Sequence, residues 1–151
     1  MGVSTVAAHF LLFIVTVTLV MMIVDTITNY VTEMDTALNQ KVESMNKKIR
    51  TDISIITIDY DSVNTYLVVY VENTGSEIID QNKTDLYVDG ERLNRNLVNK
   101  TVEPDTDNIN PGMFDPAEIL KMNVTKALSP GSHNIIVSTD NGVKAEETFS
   151  V

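Results

Sequence analysis

The chain has 151 residues, with 21 acids against 11 bases, two histidines and no cysteine, for a net charge of −10. Zero cysteines exclude disulfides, thiol catalysis and thiolate metal ligands. The acidic balance argues against nucleic acid and against direct contact with anionic lipid headgroups.

The charge is unevenly placed. No Asp, Glu, Lys or Arg precedes Asp25, and Val6 to Val24 is a run of nineteen residues without a formal charge. As a helix it would span roughly 28 Å, close to a hydrocarbon core of about 30 Å. Val6, Phe10, Leu11, Phe13, Leu19 and Val24 are the anchor residues of this predicted transmembrane helix, residues 1–24. Thr16 and Thr18 are tolerable there, because a threonine can bond the carbonyl one turn back. A cleaved signal would want a basic flank and a small-residue site, whereas no base precedes the run and Met21-Met22-Ile23-Val24 ends it. The start resembles a myristoylation signal, but Val6 stands where Ser or Thr is needed. His9 reads as an interfacial polar residue.

Residues 25–51 contain neither Pro nor Gly, and apolar residues recur at Ile27, Val31, Met34, Leu38, Val42, Met45 and Ile49. Steps of three and four averaging about 3.67 residues give one stripe on a nearly straight helix. Such a narrow face needs cover, either from the chain's own domain or from another copy or helix of a larger assembly. Self-association or packing among filament neighbours is the preferred use. Early Asp25, Glu33 and Asp35 with late Lys47, Lys48 and Arg50 suit the helix macrodipole.

From Asp52 the period changes to two. The segments 52–60, 63–71, 85–89, 92–98, 117–125, 133–138 and 143–151 read as strands. The doubled Ile55-Ile56 signals a bulge or burial on both faces, and Asp89-Gly90 and Asn141-Gly142 signal hairpins. Asn99 to Asp115 reads as an irregular loop. About seven short strands predict a mainly β domain over 52–151, an immunoglobulin-like sandwich without the cysteine pair.

Asn82, Asn99 and Asn123 each begin an Asn-x-Thr acceptor sequence for N-glycosylation, with Asn82 and Asn99 the better candidates. Asp59 and Asp61, or Glu103, Asp105 and Asp107, lack the spaced loop of a calcium site and read as solvated acids. His9 and His133 lie far apart in the chain, so no two-histidine metal site is expected. No nucleophile elbow, phosphate loop or spaced acid–base pair occurs, so neither an enzyme nor a cofactor is expected.

Five pieces together carry a resemblance. They are the start Met1-Gly-Val-Ser-Thr5, the junction Ile49-Arg-Thr-Asp-Ile53, and Tyr66-Leu-Val-Val-Tyr-Val-Glu-Asn-Thr-Gly-Ser76. The others are Lys83-Thr-Asp-Leu-Tyr-Val-Asp-Gly90 and Leu128-Ser-Pro-Gly-Ser-His-Asn-Ile135. The chain resembles archaellum accessory proteins of the FlaF and FlaG type, FlaF more than FlaG, over most of its length. The resemblance implies a single-pass protein of the archaeal cell membrane with its sandwich outside, binding the S-layer protein and acting as a stator with other archaellum components. The alternative is an archaellin or type IV pilin-like filament subunit; such precursors have a basic residue and Gly before the apolar run, whereas here Gly2 follows Met1. A surface adhesion domain is the third reading, weakened by the lack of Trp for stacking on sugars.

Overall fold

The computed structural model describes residues 2–107 and 109–151, and the side chains of these from Thr5 onward. Met1 of the family-like start and Asn108 of the predicted loop lie outside the described residues. The chain divides into two compact units, 1–43 and 44–151.

The first unit is helical, the greater part of α1, Gly2–Arg50. Unbroken helix follows from the absence of Pro and of interior Gly. Each threonine in the apolar run finds a carbonyl of its own helix. The Thr16 hydroxyl donates to Phe13 at 2.8 Å and Leu12 at 3.0 Å, and Thr18 to Ile14 at 2.8 Å and Val15 at 2.9 Å. Both hydroxyls are therefore satisfied within the helix itself.

The second unit contains the last turns of α1 and two four-stranded antiparallel sheets, the expected β-sandwich. The strands are β1 Ser54–Asp61, β2 Tyr66–Glu72, β3 Asp85–Val88, β4 Glu91–Arg92, β5 Asn99–Val102, β6 Ile119–Thr125, β7 Ser132–Ser138 and β8 Lys144–Ser150. One sheet runs β1-β2-β6-β5 and the other β4-β3-β7-β8. Period two sets the core. Leu67, Val69 and Val71 of β2 and Leu120 and Met122 of β6 meet Leu86 and Val88 of β3 and Ile135 and Val137 of β7, all essentially buried. Phe114, fully buried, belongs to the same core, and Ile79 pairs with it in an isolated bridge.

The predicted bulge lies in β1, where pairing with β2 steps from Ile55–Val71 to Thr57–Tyr70 and leaves Ile56 as the extra residue. Asp89 and Gly90 both have positive φ, 52° and 81°, which is the mirror-image turn that Asp-Gly pairs favour. Three expectations are corrected. Val63 to Thr65 belong to a turn rather than to β2, because the Asp61 carboxylate takes up the Val63 and Asn64 amides at 2.9 and 3.2 Å. The strand predicted over 92–98 stops at Arg92, and a turn with Leu97 N–H on the Asn94 carbonyl follows. The loop predicted from Asn99 opens with β5 instead, so there are eight strands rather than about seven among the described residues.

Candidate functional site: the helix clamp and the outer sheet face

Only three residues, 51–53, separate α1 from β1, so the helix end meets the sandwich with little slack. The last carbonyls of a helix need partners from elsewhere. Here the Asn73-Thr74-Gly75-Ser76 turn supplies one for Arg50, the last helical residue, and another for Asp52 just beyond the helix. Ser76 N–H donates to the Arg50 carbonyl at 2.8 Å, and Gly75 N–H to the Asp52 carbonyl at 3.0 Å. Gly75 has to be glycine for a reason of space. A Cβ there would lie 2.5 Å from the Asp52 nitrogen and 2.6 Å from the Arg50 oxygen.

Asn73, completely buried, holds the turn in shape. Its amide nitrogen donates to the carbonyls of Glu77 and Phe114 at 2.9 and 3.1 Å, and its side-chain oxygen accepts the Gly75 N–H at 3.1 Å. The β7–β8 turn grips the helix from another segment: the Asn141 amide donates to the Thr51 hydroxyl at 2.6 Å, which donates to the Lys47 carbonyl at 2.8 Å. Ion pairs at 3.4 Å, Lys47 with Asp140 and Arg50 with Glu77, add little because both cations are about half exposed. Sequence reasoning saw Asn73 to Ser76 only as a turn. The signal that it was more is a glycine flanked by small polar residues after the strongest strand, a pattern that also permits close backbone approach.

The second surface is the outer face of the β1-β2-β6-β5 sheet. Register places Asp61, Tyr66 and Thr125 in one row, Asp59, Val68, Asn123 and Asn99 in the next, and Thr57, Tyr70, Lys121 and Thr101 in a third. The bulge adds Ile56, and Ile119 stands beside Glu72. Ile56, Thr57, Asp59, Tyr70 and Ile119 line a shallow depression of about 260 Å³. The Lys121 ammonium lies 5.4 Å from the centre of the Tyr70 ring and 3.3 Å from Glu103, and these two partners hold its pKa above the ordinary lysine value. The face therefore has an apolar, aromatic strip bordered by acids.

The remaining predicted residues are placed as follows. Val6, Phe10, Leu11, Phe13, Leu19 and Val24 are all exposed on α1, as are Ile27, Val31, Met34, Leu38, Val42, Met45 and Ile49 of the stripe. Asp61 caps the β1–β2 turn, and its carboxyl is held below the ordinary range chiefly by hydrogen bonds from Asn64 and Val63. Asp107 accepts the Gly112 N–H at 2.9 Å, Glu103 pairs with Lys121, and Asp105 is exposed. No group of three or more His, Asp or Glu is brought together for a metal among the described residues. Asn99 faces Asn123 across β5 and β6, whereas Asn82 lies apart in a short 3-10 turn, Gln81–Lys83.

The fold and its clamp define a class: a β-sandwich carried on one long helix that is long and apolar enough to cross a membrane. The sequence matches the archaeal-type flagellin family over residues 3–149, and the chain belongs to that family. An uncharacterized protein of Archaeoglobus fulgidus is 36% identical over 116 residues, covering 73% of this chain and 72% of that one. Among solved structures, the archaellum periplasmic stator protein FlaG from Sulfolobus acidocaldarius is similar, with TM-score 0.52 and 20% identity, over 66% of this chain and 99% of that one. The periplasmic stator complex of FlaF and FlaG from the same organism gives TM-score 0.50 and 19% identity, over 64% and 87% of the two chains. These likenesses concern the fold, and they give the expected leaning toward FlaF no separate support.

Proposed function

We propose that this chain is a membrane-anchored archaellum component whose sandwich lies outside the cell membrane, binds the S-layer protein and acts as a stator. The observation that carries the reading is the union of parts: an uncharged helical run of membrane length, continuous with a helix whose last turn is clamped to a rigid β head. Family membership and a fold shared with FlaG support it, and the FlaF–FlaG complex supports other archaellum components as partners. The role is mechanical, with no catalytic activity and no cofactor. Under this reading the outer sheet face, with Ile56, Tyr66 and Tyr70, is the surface for the wall.

The test is co-sedimentation of the fragment from Ser44, which keeps the clamp, with isolated S-layer sheets at several salt concentrations. Saturable binding, weakened by Tyr70→Ala, is expected. A fragment that stays in the supernatant at every salt concentration sinks the wall-binding part.

The second reading, a filament subunit, rests on the family's own description as flagellin and on the exposed stripe from Ile27 to Ile49. In a filament that stripe must be covered by neighbouring helices. Met34→Lys together with Val42→Lys would then abolish assembly into filaments, whereas a stator would retain S-layer binding through its head. Electron microscopy of cells carrying the double variant as their sole copy separates the two.

A further inference from the structure

We propose that the corner of the sandwich formed by Arg92, Arg95 and Lys100 is a docking surface for an acidic peptide segment of another protein. Residues 52–151 carry 17 acids and 7 bases, so a local excess of positive charge is out of keeping with the rest of the head. Three of its lysines each have an acid of their own: Lys83 with Asp80 at 3.2 Å, Lys121 with Glu103 at 3.3 Å and Lys126 with Glu91 at 2.6 Å. Arg92, Arg95 and Lys100 do not.

One short segment, Asn82 to Asp85, gathers these three cations. Arg92 Nη2 donates to the two Asp85 carboxylate oxygens at 2.8 and 2.9 Å. Arg95 donates to the same carboxylate through Nε at 2.6 Å and Nη2 at 3.0 Å, and to the Lys83 carbonyl at 3.2 Å. The Lys100 ammonium donates to the carbonyls of Thr84 at 2.6 Å and Asn82 at 3.4 Å, with no carboxylate in ion-pair reach among the described residues. Three cations therefore share one carboxylate, which leaves two positive charges unmet. Burial, and after it the neighbouring Arg95, hold the Lys100 ammonium below the ordinary lysine value, as expected where cations are gathered without enough acid to meet them.

The arrangement suits carboxylates. Asp85 fixes both guanidiniums in advance, so little side-chain freedom is lost when a ligand arrives. Arg92 keeps Nε and Nη1, and Arg95 keeps Nη1, for a further acceptor. Arg92, Leu93, Asn94 and Arg95 line a recess of about 390 Å³ that an acidic side chain can enter. Two unmet charges match a short run of acids. A nucleic acid needs many phosphate contacts and would meet the acids of the head instead. Leu97, 70% exposed in the turn after β4, adds an apolar contact that a peptide can use and an inorganic anion cannot. The corner is also separate from the face given to the wall. Lys100 alternates with Asn99 and Thr101 and so lies on the other side of β5, and the recess belongs to the turn beyond β4 in the opposite sheet.

The experiment titrates the full chain, in an uncharged detergent, against fluorescein-labelled hexaglutamate and reads anisotropy at low and at high salt. Saturable binding that weakens with salt is expected, reduced about three- to tenfold by Arg95→Gln and left unchanged by Lys126→Gln, which removes the same charge elsewhere on the head. Arg95→Lys keeps the charge without the fork, and a similar loss is expected there, with thermal melting confirming that the fold is kept. No saturable binding overturns the proposal. So does an equal loss in Lys126→Gln, which would mean diffuse attraction, or wild-type binding in both Arg95 variants. Competition by inorganic phosphate at the peptide's own concentration also overturns it, by making the corner a small-anion site.

Discussion

Replacing Gly75 by alanine tests whether the helix end is truly clamped. The added methyl would lie 2.5 Å from the Asp52 nitrogen and 2.6 Å from the Arg50 oxygen, and both are backbone atoms that cannot swing aside as a side chain could. Relief requires the turn and the helix end to separate. That weakens the Ser76–Arg50 and Gly75–Asp52 hydrogen bonds, each worth about 0.5–1.5 kcal/mol net. Overpacking of a tight contact adds about 1–3 kcal/mol. Alanine returns about 0.4–1 kcal/mol by restricting the unfolded chain. The balance is a destabilisation of about 2–5 kcal/mol, which for a domain of this size lowers Tm by about 10 °C or more. Thermal unfolding of the fragment from Ser44, followed by far-UV circular dichroism, reads it directly. A Gly75→Ala protein melting within about 2 °C of the wild type would refute the close approach and with it the clamp.

Other variants probe the head. Ala117 has φ 66°, and it follows Pro116 where a type II turn calls for glycine. Ala117→Gly should therefore stabilise by about 0.5–1 kcal/mol, seen as a higher urea midpoint at unchanged slope, since the left-handed cost of about 1–2 kcal/mol exceeds the entropy glycine loses. Removing the Tyr60 hydroxyl, which accepts the Leu128 N–H at 3.0 Å, should cost about 1 kcal/mol in Tyr60→Phe. His133 bonds the Ser129 carbonyl and the Asp89 carboxylate at 2.7 Å each, and those partners, in that order, raise its pKa above about 6.5. Its contribution is therefore full below the ordinary histidine value and is lost as pH rises through the raised one. Asp89 is lowered chiefly by His133 and then by the Asn134 N–H, so its contribution holds above the ordinary aspartate range and is lost as pH falls through the lowered value. His133→Gln should flatten the alkaline side of a Tm–pH profile and Asp89→Asn the acid side; unchanged profiles would contradict the pairing.

The helix and the β class were legible because each is written in a period. Nineteen uncharged residues and a stripe of steps three and four leave few alternatives to helix, and alternation at β2 and β6 predicts which side chains enter the core. Ile55-Ile56 announced its bulge by breaking that alternation. What failed were short strands whose burial is not apolar. In β5 one of the two inward side chains is Lys100, beside the buried Val102; its ammonium reaches the Thr84 carbonyl at 2.6 Å and its partial burial lowers its pKa, so Asn-Lys-Thr-Val reads as loop. Beyond Arg92 the predicted strand ends because Arg95 turns back to join Arg92 on the Asp85 carboxylate, at 2.6 and 2.8 Å. The clamp was invisible for a related reason. It joins residues 47–52 to 73–77 and 140–141 through backbone groups and small polar side chains, which carry no periodic signal.

A mechanical role places two demands on such a molecule, and the structure bears on each. The junction between the last turn of the helix and the head must not act as a hinge. A hinge would be a glycine- or proline-rich segment with few bonds, whereas here a three-residue junction is held from two separate segments of the sandwich, with Thr51 and Asn73 buried within the grip. The head must also offer a surface whose contacts can bear load. A sheet face suits this, because its side chains are fixed by cross-strand neighbours and little entropy remains to be lost on binding. Both demands would also be met in a filament subunit, so rigidity alone does not divide the readings. What divides them is the apolar surface that has to be covered. A filament must bury the stripe from Ile27 to Ile49 between copies, whereas the proposed stator engages the wall through the strip around Ile56 and Tyr70. The two surfaces lie on different elements, so substitutions in one leave the other intact.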